Sequence, residues 1–187
     1  MKKLLLITAF IISYCISAQG SDLNIQNFTS YQVEFSLFKS DQTNVSGGCS
    51  PIWDGRNSMT GLSLLKESPN PGFVSTDAYY EADLNQSNTF NPAFPDKPLI
   101  DTWILDNNYT SPYVLPGSII PASSLAAKNM GMKFGIKDPI TGTNVAGYFP
   151  IGNVQCGQPP IIDISAYTNI INASYFTFGG GEWLIFY

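Results

Sequence analysis

The closest grouping of side chains able to do chemistry lies between residues 81 and 88. Glu81, Asp83, Asn85 and Asn88 carry oxygen donors at short spacing, the ligand type that calcium favours. No Gly stands at the sixth position, so the EF-hand pattern is missing, and calcium is the one cofactor these residues suggest. Glu81 and Asp83 would share a strand face, as would Asp77 and Tyr79. Two carboxylates are all that glycoside hydrolysis requires. A chain with fourteen Asp and Glu offers such pairs by composition, and a solvated loop surface is their ordinary use. A carboxylate-based extracellular hydrolase is therefore an alternative, and no residue is assigned as catalytic.

What the chain lacks narrows the field. It contains no histidine, which removes Ser-His-Asp and Cys-His nucleophile systems and every imidazole-bound zinc site. Cys15 falls in an apolar leader, where the large Tyr14 before it does not suit lipidation. That leaves Cys49 and Cys156, an even pair in an oxidising compartment and an expected disulfide. Oxidised sulfurs are lost to thiolate chemistry and to metals. Six lysines outside the leader would allow a Ser-Lys pair, but no local pattern points to one. Gly179, Gly180 and Gly181 lie between two strand-like segments with no helix after them. They read as a hairpin turn and not as a phosphate-cradling loop. Five Asn-X-Ser/Thr sequons, at Asn27, Asn44, Asn85, Asn108 and Asn172, follow from a composition rich in those residues.

Aromatic residues make up 13% of the chain, and flat rings with polar rims suit stacking against sugars. Trp53, Tyr79, Tyr80 and Trp103 are the candidate ligand-binding residues. Trp53 stands beside Asp54-Gly55-Arg56 in what reads as a turn, which makes it the best exposed candidate. Trp103 alternates with Thr102 in a strand, where core packing is the commoner use. Trp183, in an apolar terminal segment, reads as core. Tyr79 and Tyr80 point to opposite faces if extended, so one at most is exposed.

The elements that must position these groups are short. Residues 31–39 alternate apolar and polar, the period of a half-buried strand. Residues 23–27 and 60–66 read as further strands. Prolines at 69, 71, 92, 95 and 98 lack the N–H that a central ladder needs. The 67–98 stretch is therefore expected as long loops with short edge strands at 73–74 and 79–80. Residues 99–105 return to strand, and 122–129 form the one short helix candidate. Lys133, Gly135 and Lys137 alternate with Met132, Phe134 and Ile136 before a turn at 138–142. Val145, Gly147 and Phe149 lie on the returning strand, residues 161–164 are strand-like, and 175–187 read as a hairpin. Its last strand is apolar on both faces, so cover is expected on both sides. About ten short strands without βαβ alternation predict an all-β fold, an antiparallel β-sandwich.

Lys2 and Lys3, an apolar run from 4 to 16 and Ser17-Ala18 give the order of a secretory signal over residues 1–18. The run is shorter than the roughly 18 apolar residues of a membrane span. Residues 19–187 then form a single domain, expected in the periplasm or outside the cell. Losing Lys2 and Lys3 takes the net charge from −5 to −7. Scattered cations on an acidic chain do not suit phosphate backbones, which excludes nucleic acid as a partner. An eight-stranded outer-membrane barrel is a further alternative, suggested by the alternation of Trp183, Ile185 and Tyr187. Thirteen prolines and the long 67–98 stretch argue against it and against membrane insertion.

Lys133-Phe-Gly-Ile-Lys-Asp-Pro139, the lone Cys156 and the aromatic-ended hairpin resemble small secreted β-rich proteins of Bacteroidota, largely uncharacterised. The leader ending Ser17-Ala18-Gln19 is similar too. The likeness covers residues 131–187 best, and it implies an exported β-rich fold with no assigned activity. The expected function is a secreted, non-enzymatic β-sandwich that binds an extracellular glycan or a surface protein.

Overall fold

The computed structural model of the protein describes residues 21–187; the expected leader, with Cys15, lies outside them. Eleven strands form two sheets: β1 (Leu23–Asn27), β2 (Gln32–Ser40), β3 (Trp53–Arg56), β4 (Ser63–Leu65), β5 (Thr76–Tyr80), β6 (Thr102–Leu105), β7 (Tyr113–Val114), β8 (Asn129–Lys137), β9 (Asn144–Gly152), β10 (Ala173–Phe178) and β11 (Gly181–Phe186). The smaller sheet runs β10-β11-β1-β5. The larger runs β7-β6-β3-β2-β8-β9, with β4 also paired to β2. All pairings of named strands are antiparallel except β1 with β11. The expected all-β sandwich is what forms. Its strands lie in two separate sheets and not in one closed ring, so the barrel alternative is not met. Among the described residues no helix is long and apolar enough to cross a membrane.

Period-2 patterning decides which side chains enter the core. Val33, Phe35 and Leu37 of β2 and Met130, Met132, Phe134 and Ile136 of β8 face inward from the larger sheet. Leu23 and Ile25 of β1, Ala78 and Tyr80 of β5, and Leu184 and Phe186 of β11 answer from the smaller. Edge-to-face ring pairs join the layers, Phe134 to Phe186 at 4.9 Å and Phe35 to Tyr80 at 6.3 Å. Burying a large apolar side chain contributes about 1.5–3 kcal/mol, so this layer is the main source of stability.

Several expectations are corrected. The helix at 122–129 is a 3-10 run over Ala122–Ala126. It follows Pro121, which gives no side-chain cap, and three-residue turns suit so short a piece. Residues 73–74 and 161–164 form only isolated bridges, Asn70 with Val74, Gly152 with Ile161 and Asp163 with Ser174. The turn read at Trp53-Asp-Gly-Arg56 is instead β3, a central strand between β2 and β6. Cys49 and Cys156 are bonded, as expected, across 107 residues.

Candidate functional site

The larger sheet absorbs two of the three tryptophans. Trp53 and Trp103 are both wholly buried, and Tyr80 is 1% exposed. Trp103 donates its indole N–H to Ser87 Oγ at 2.9 Å, and Trp53 meets Tyr113 edge to face at 5.3 Å. Tyr80 points into the core and donates to the Pro98 carbonyl at 2.6 Å. None of the three can stack on an external ring, so as ligand-binding residues they are withdrawn. Of the four aromatics singled out from sequence, Tyr79 alone keeps an outward position.

The residues between 81 and 88 do not gather around a cation. Glu81 pairs with the buried Lys97 at 3.3 Å. Asp83 caps the 3-10 turn Leu84–Gln86 by accepting from the Asn85 N–H at 3.0 Å. Asn85 exchanges hydrogen bonds with Ile120, accepting its N–H at 2.9 Å and donating to its carbonyl at 3.1 Å. Asn88 is half-buried in the same turn. These groups hold the long 81–101 connection between β5 and β6 in place and tie it to Ile120. Among the described residues no group of three His, Cys, Asp or Glu is placed to hold a metal.

A different surface emerges on the outer face of the smaller sheet. Inward residues Leu23, Ile25, Thr76, Ala78, Ala173, Tyr175, Glu182, Leu184 and Phe186 leave the alternate positions facing out. Strand register then lays one row across four strands: Phe176 beside Trp183, Trp183 beside Asn24, and Asn24 beside Tyr79. The next row is Ser174, Ile185, Gln26 and Asp77. The Phe176 and Trp183 planes lie within 6° of each other with centroids 6.4 Å apart. At the far end Phe94 stacks on Tyr79 at 5.3 Å. Cover on both faces of β11 was expected; instead Trp183 and Ile185 are only half-buried, because among the described residues no further sheet lies over them.

Local bonds fix these rings. Gly179 and Gly180 have φ of 62° and 84° in a two-residue loop that pairs Phe178 with Gly181. Positive φ at both central positions is what a type I′ hairpin requires, and glycine supplies it without strain. Across that hairpin the Trp183 indole donates to the Phe178 carbonyl at 3.2 Å. The Tyr79 hydroxyl donates to Asp22 Oδ2 at 2.5 Å, while Asp22 Oδ1 accepts from the Ala82 N–H at 2.7 Å. Burial first, and then the Asp22 carboxylate, hold the Tyr79 phenol above its ordinary value, so it stays protonated. Asp77 Oδ1 is buried with no hydrogen-bond partner among the described residues.

Shallow depressions follow the rows. One of about 280 Å³ lies between Asp22, Asn24, Tyr79, Trp183 and the glycine turn. Another of about 120 Å³ lies among Asn24, Gln26, Asp77, Phe94 and Trp183. A third, about 480 Å³, opens at the outer edge of β10, where Asp163 bridges Ser174, beside Phe176 and Tyr187. Trp183, Phe176, Asn24, Gln26 and Phe94 were missed by the sequence reading. The charge of Glu182 gives no guide to this facing, because Glu182 lies inward with Leu184 and Phe186. Comparisons with family models, with curated proteins and with solved structures gave no match. The fold and this face define an all-β sandwich with an aromatic and amide sheet surface.

Proposed function

We propose that the chain is a secreted, non-catalytic β-sandwich that binds an extracellular glycan on the outer face of its four-stranded sheet. The observation that carries this reading is the outward row of Phe176, Trp183, Asn24 and Tyr79. Sugar rings offer apolar C–H faces and a rim of hydroxyls. Rings in parallel planes match the first, and the amides of Asn24 and Gln26 match the second, since each has both donors and an acceptor. The apolar leader and the single disulfide support export to an oxidising compartment. A carboxylate hydrolase has less support, because Glu81 and Asp83 are engaged in holding the chain.

The test is intrinsic fluorescence of the mature protein titrated with soluble polysaccharides. Trp53 and Trp103 are buried, so acrylamide quenching reports on Trp183. A saturable shift with protection from quenching is expected, abolished in Trp183→Ala and weakened in Phe176→Ala. Stacking on one ring is worth about 0.5–1.5 kcal/mol beyond its buried area, so the Phe176 variant should lose roughly tenfold. Binding that survives Trp183→Ala unchanged would place the site elsewhere.

A further inference from the structure

We infer that the occupant of this face is an uncharged polysaccharide segment lying across the four strands, and that acidic polysaccharides are refused. The inference rests on the glycan reading above and adds the charge class and the orientation of the ligand.

Charge comes first. Among the described residues no Lys or Arg lines any of the three depressions, whereas Asp22, Asp77 and Asp163 do. A uronate or sulfate in the row would sit beside carboxylates on a partly desolvated surface, with no cation to receive it. Like charges set together in this way cost binding energy. Asp77 sharpens the point, because its buried Oδ1 accepts no hydrogen bond among the described residues. A second anion beside that unrelieved carboxylate adds repulsion. At the centre of both rows stand uncharged amides, Asn24 and Gln26. The carboxylates that repel an anion attract a cationic sugar, so chitosan is the competitor against which the neutral polymers are set.

Orientation follows from register. The four members of the aromatic row are lateral neighbours on β10, β11, β1 and β5. Three interstrand gaps at about 4.8 Å make the row roughly 14 Å long, the length of about three sugar rings. The largest depression continues beyond β10, while Phe94 walls the β5 end. A linear chain therefore meets Trp183 in the middle of its contact and not at a terminus.

The experiment uses the mature chain and Trp183 fluorescence at low ionic strength. The probes are dextran, laminarin, xylan and galactomannan, set against alginate, polygalacturonate, chondroitin sulfate and chitosan. At least one neutral polymer should give a saturable shift that disappears in Trp183→Ala. Its carboxymethylated derivative should bind at least about tenfold more weakly, with the gap closing as salt screens the repulsion. Asp77→Asn should narrow the same gap. Oligomers of the binding polymer should gain affinity up to about three or four units and then level off. A Trp183-dependent response to the acidic polymers or to chitosan, with none to neutral ones, would overturn the inference while leaving the glycan reading in place. Affinity independent of oligomer length would do the same. Silence across all eight probes would remove both and leave the face to a protein partner.

Discussion

Glu182 and Lys39 set an acid and an amine in the space between the sheets. Glu182 is 1% exposed, and its Oε2 accepts from the Met130 N–H at 2.8 Å and the Tyr175 hydroxyl at 2.6 Å. Lys39, wholly buried on the inner face of β2, donates to the Ala82 carbonyl. Burial penalises both charged forms and outweighs their mutual attraction. It raises Glu182 to about 7 and lowers Lys39 to about 8, with Asp22 and Asp83 also acting on the lysine. The folded state therefore holds a proton on Glu182 that the unfolded state has released between about pH 4.5 and 7. This group's stabilisation is complete below that window and is lost as pH rises through it. Lys39 acts on the other side, where its penalty is relieved as pH climbs above about 8. Urea melts of wild type and Glu182→Gln from pH 4 to 8 should diverge. The variant should gain relative to wild type by on the order of 2–3 kcal/mol across that range. Parallel curves would mean that Glu182 ionises in the fold as it does in the unfolded chain.

At the scale of elements, β3 shows how a strand can be hidden in turn chemistry. Asp54-Gly55-Arg56 has the residue types of a loop, yet each has a packing reason. Gly55 lies opposite Trp103, and a Cβ there would come within 2.7 Å of the indole ring. The missing side chain is the seat of the tryptophan. Asp54 is buried against Arg56 at 2.6 Å, and the guanidinium lies over the Tyr109 ring. Desolvation raises the Asp54 carboxyl, against the opposing pull of Arg56. Gly55→Ala should destabilise by about 1–3 kcal/mol, the ordinary cost of overpacking a core. Thermal melts check it, and the loss should appear without any change in glycan binding, since β3 belongs to the other sheet.

At the scale of the whole molecule, long-range pairings hold both layers. β1 sits between β11 and β5, so strands from opposite ends of the described chain form the centre of the four-stranded sheet. The Cys49–Cys156 bond closes a loop of 107 residues around the larger sheet. In the chain-entropy account such a loop contributes about 4–5 kcal/mol by restricting the unfolded state. Cys49→Ser with Cys156→Ser should lower the unfolding free energy by that amount, read as a fall in the denaturant midpoint, with a larger m-value because the unlinked unfolded chain exposes more surface. A midpoint that does not move would show that the unfolded chain is already constrained.

Much of this was legible from sequence because it depends on near neighbours. Alternation along residues 31–39 predicts β2 and its buried Val33, Phe35 and Leu37. Two cysteines outside the expected leader leave one pairing, and Gly179-Gly180 marks its own turn. Lys39 follows the same alternation inward, but a lysine's charge argues for water, and only the opposite sheet decides otherwise. β11 poses the same difficulty: Trp183 and Ile185 are as apolar as Leu184 and Phe186. Periodicity alone sorts such residues into two sets, without saying which set meets water. That choice is made where a second layer packs, through contacts remote in sequence, and it turned Trp53 and Trp103 inward and Trp183 outward.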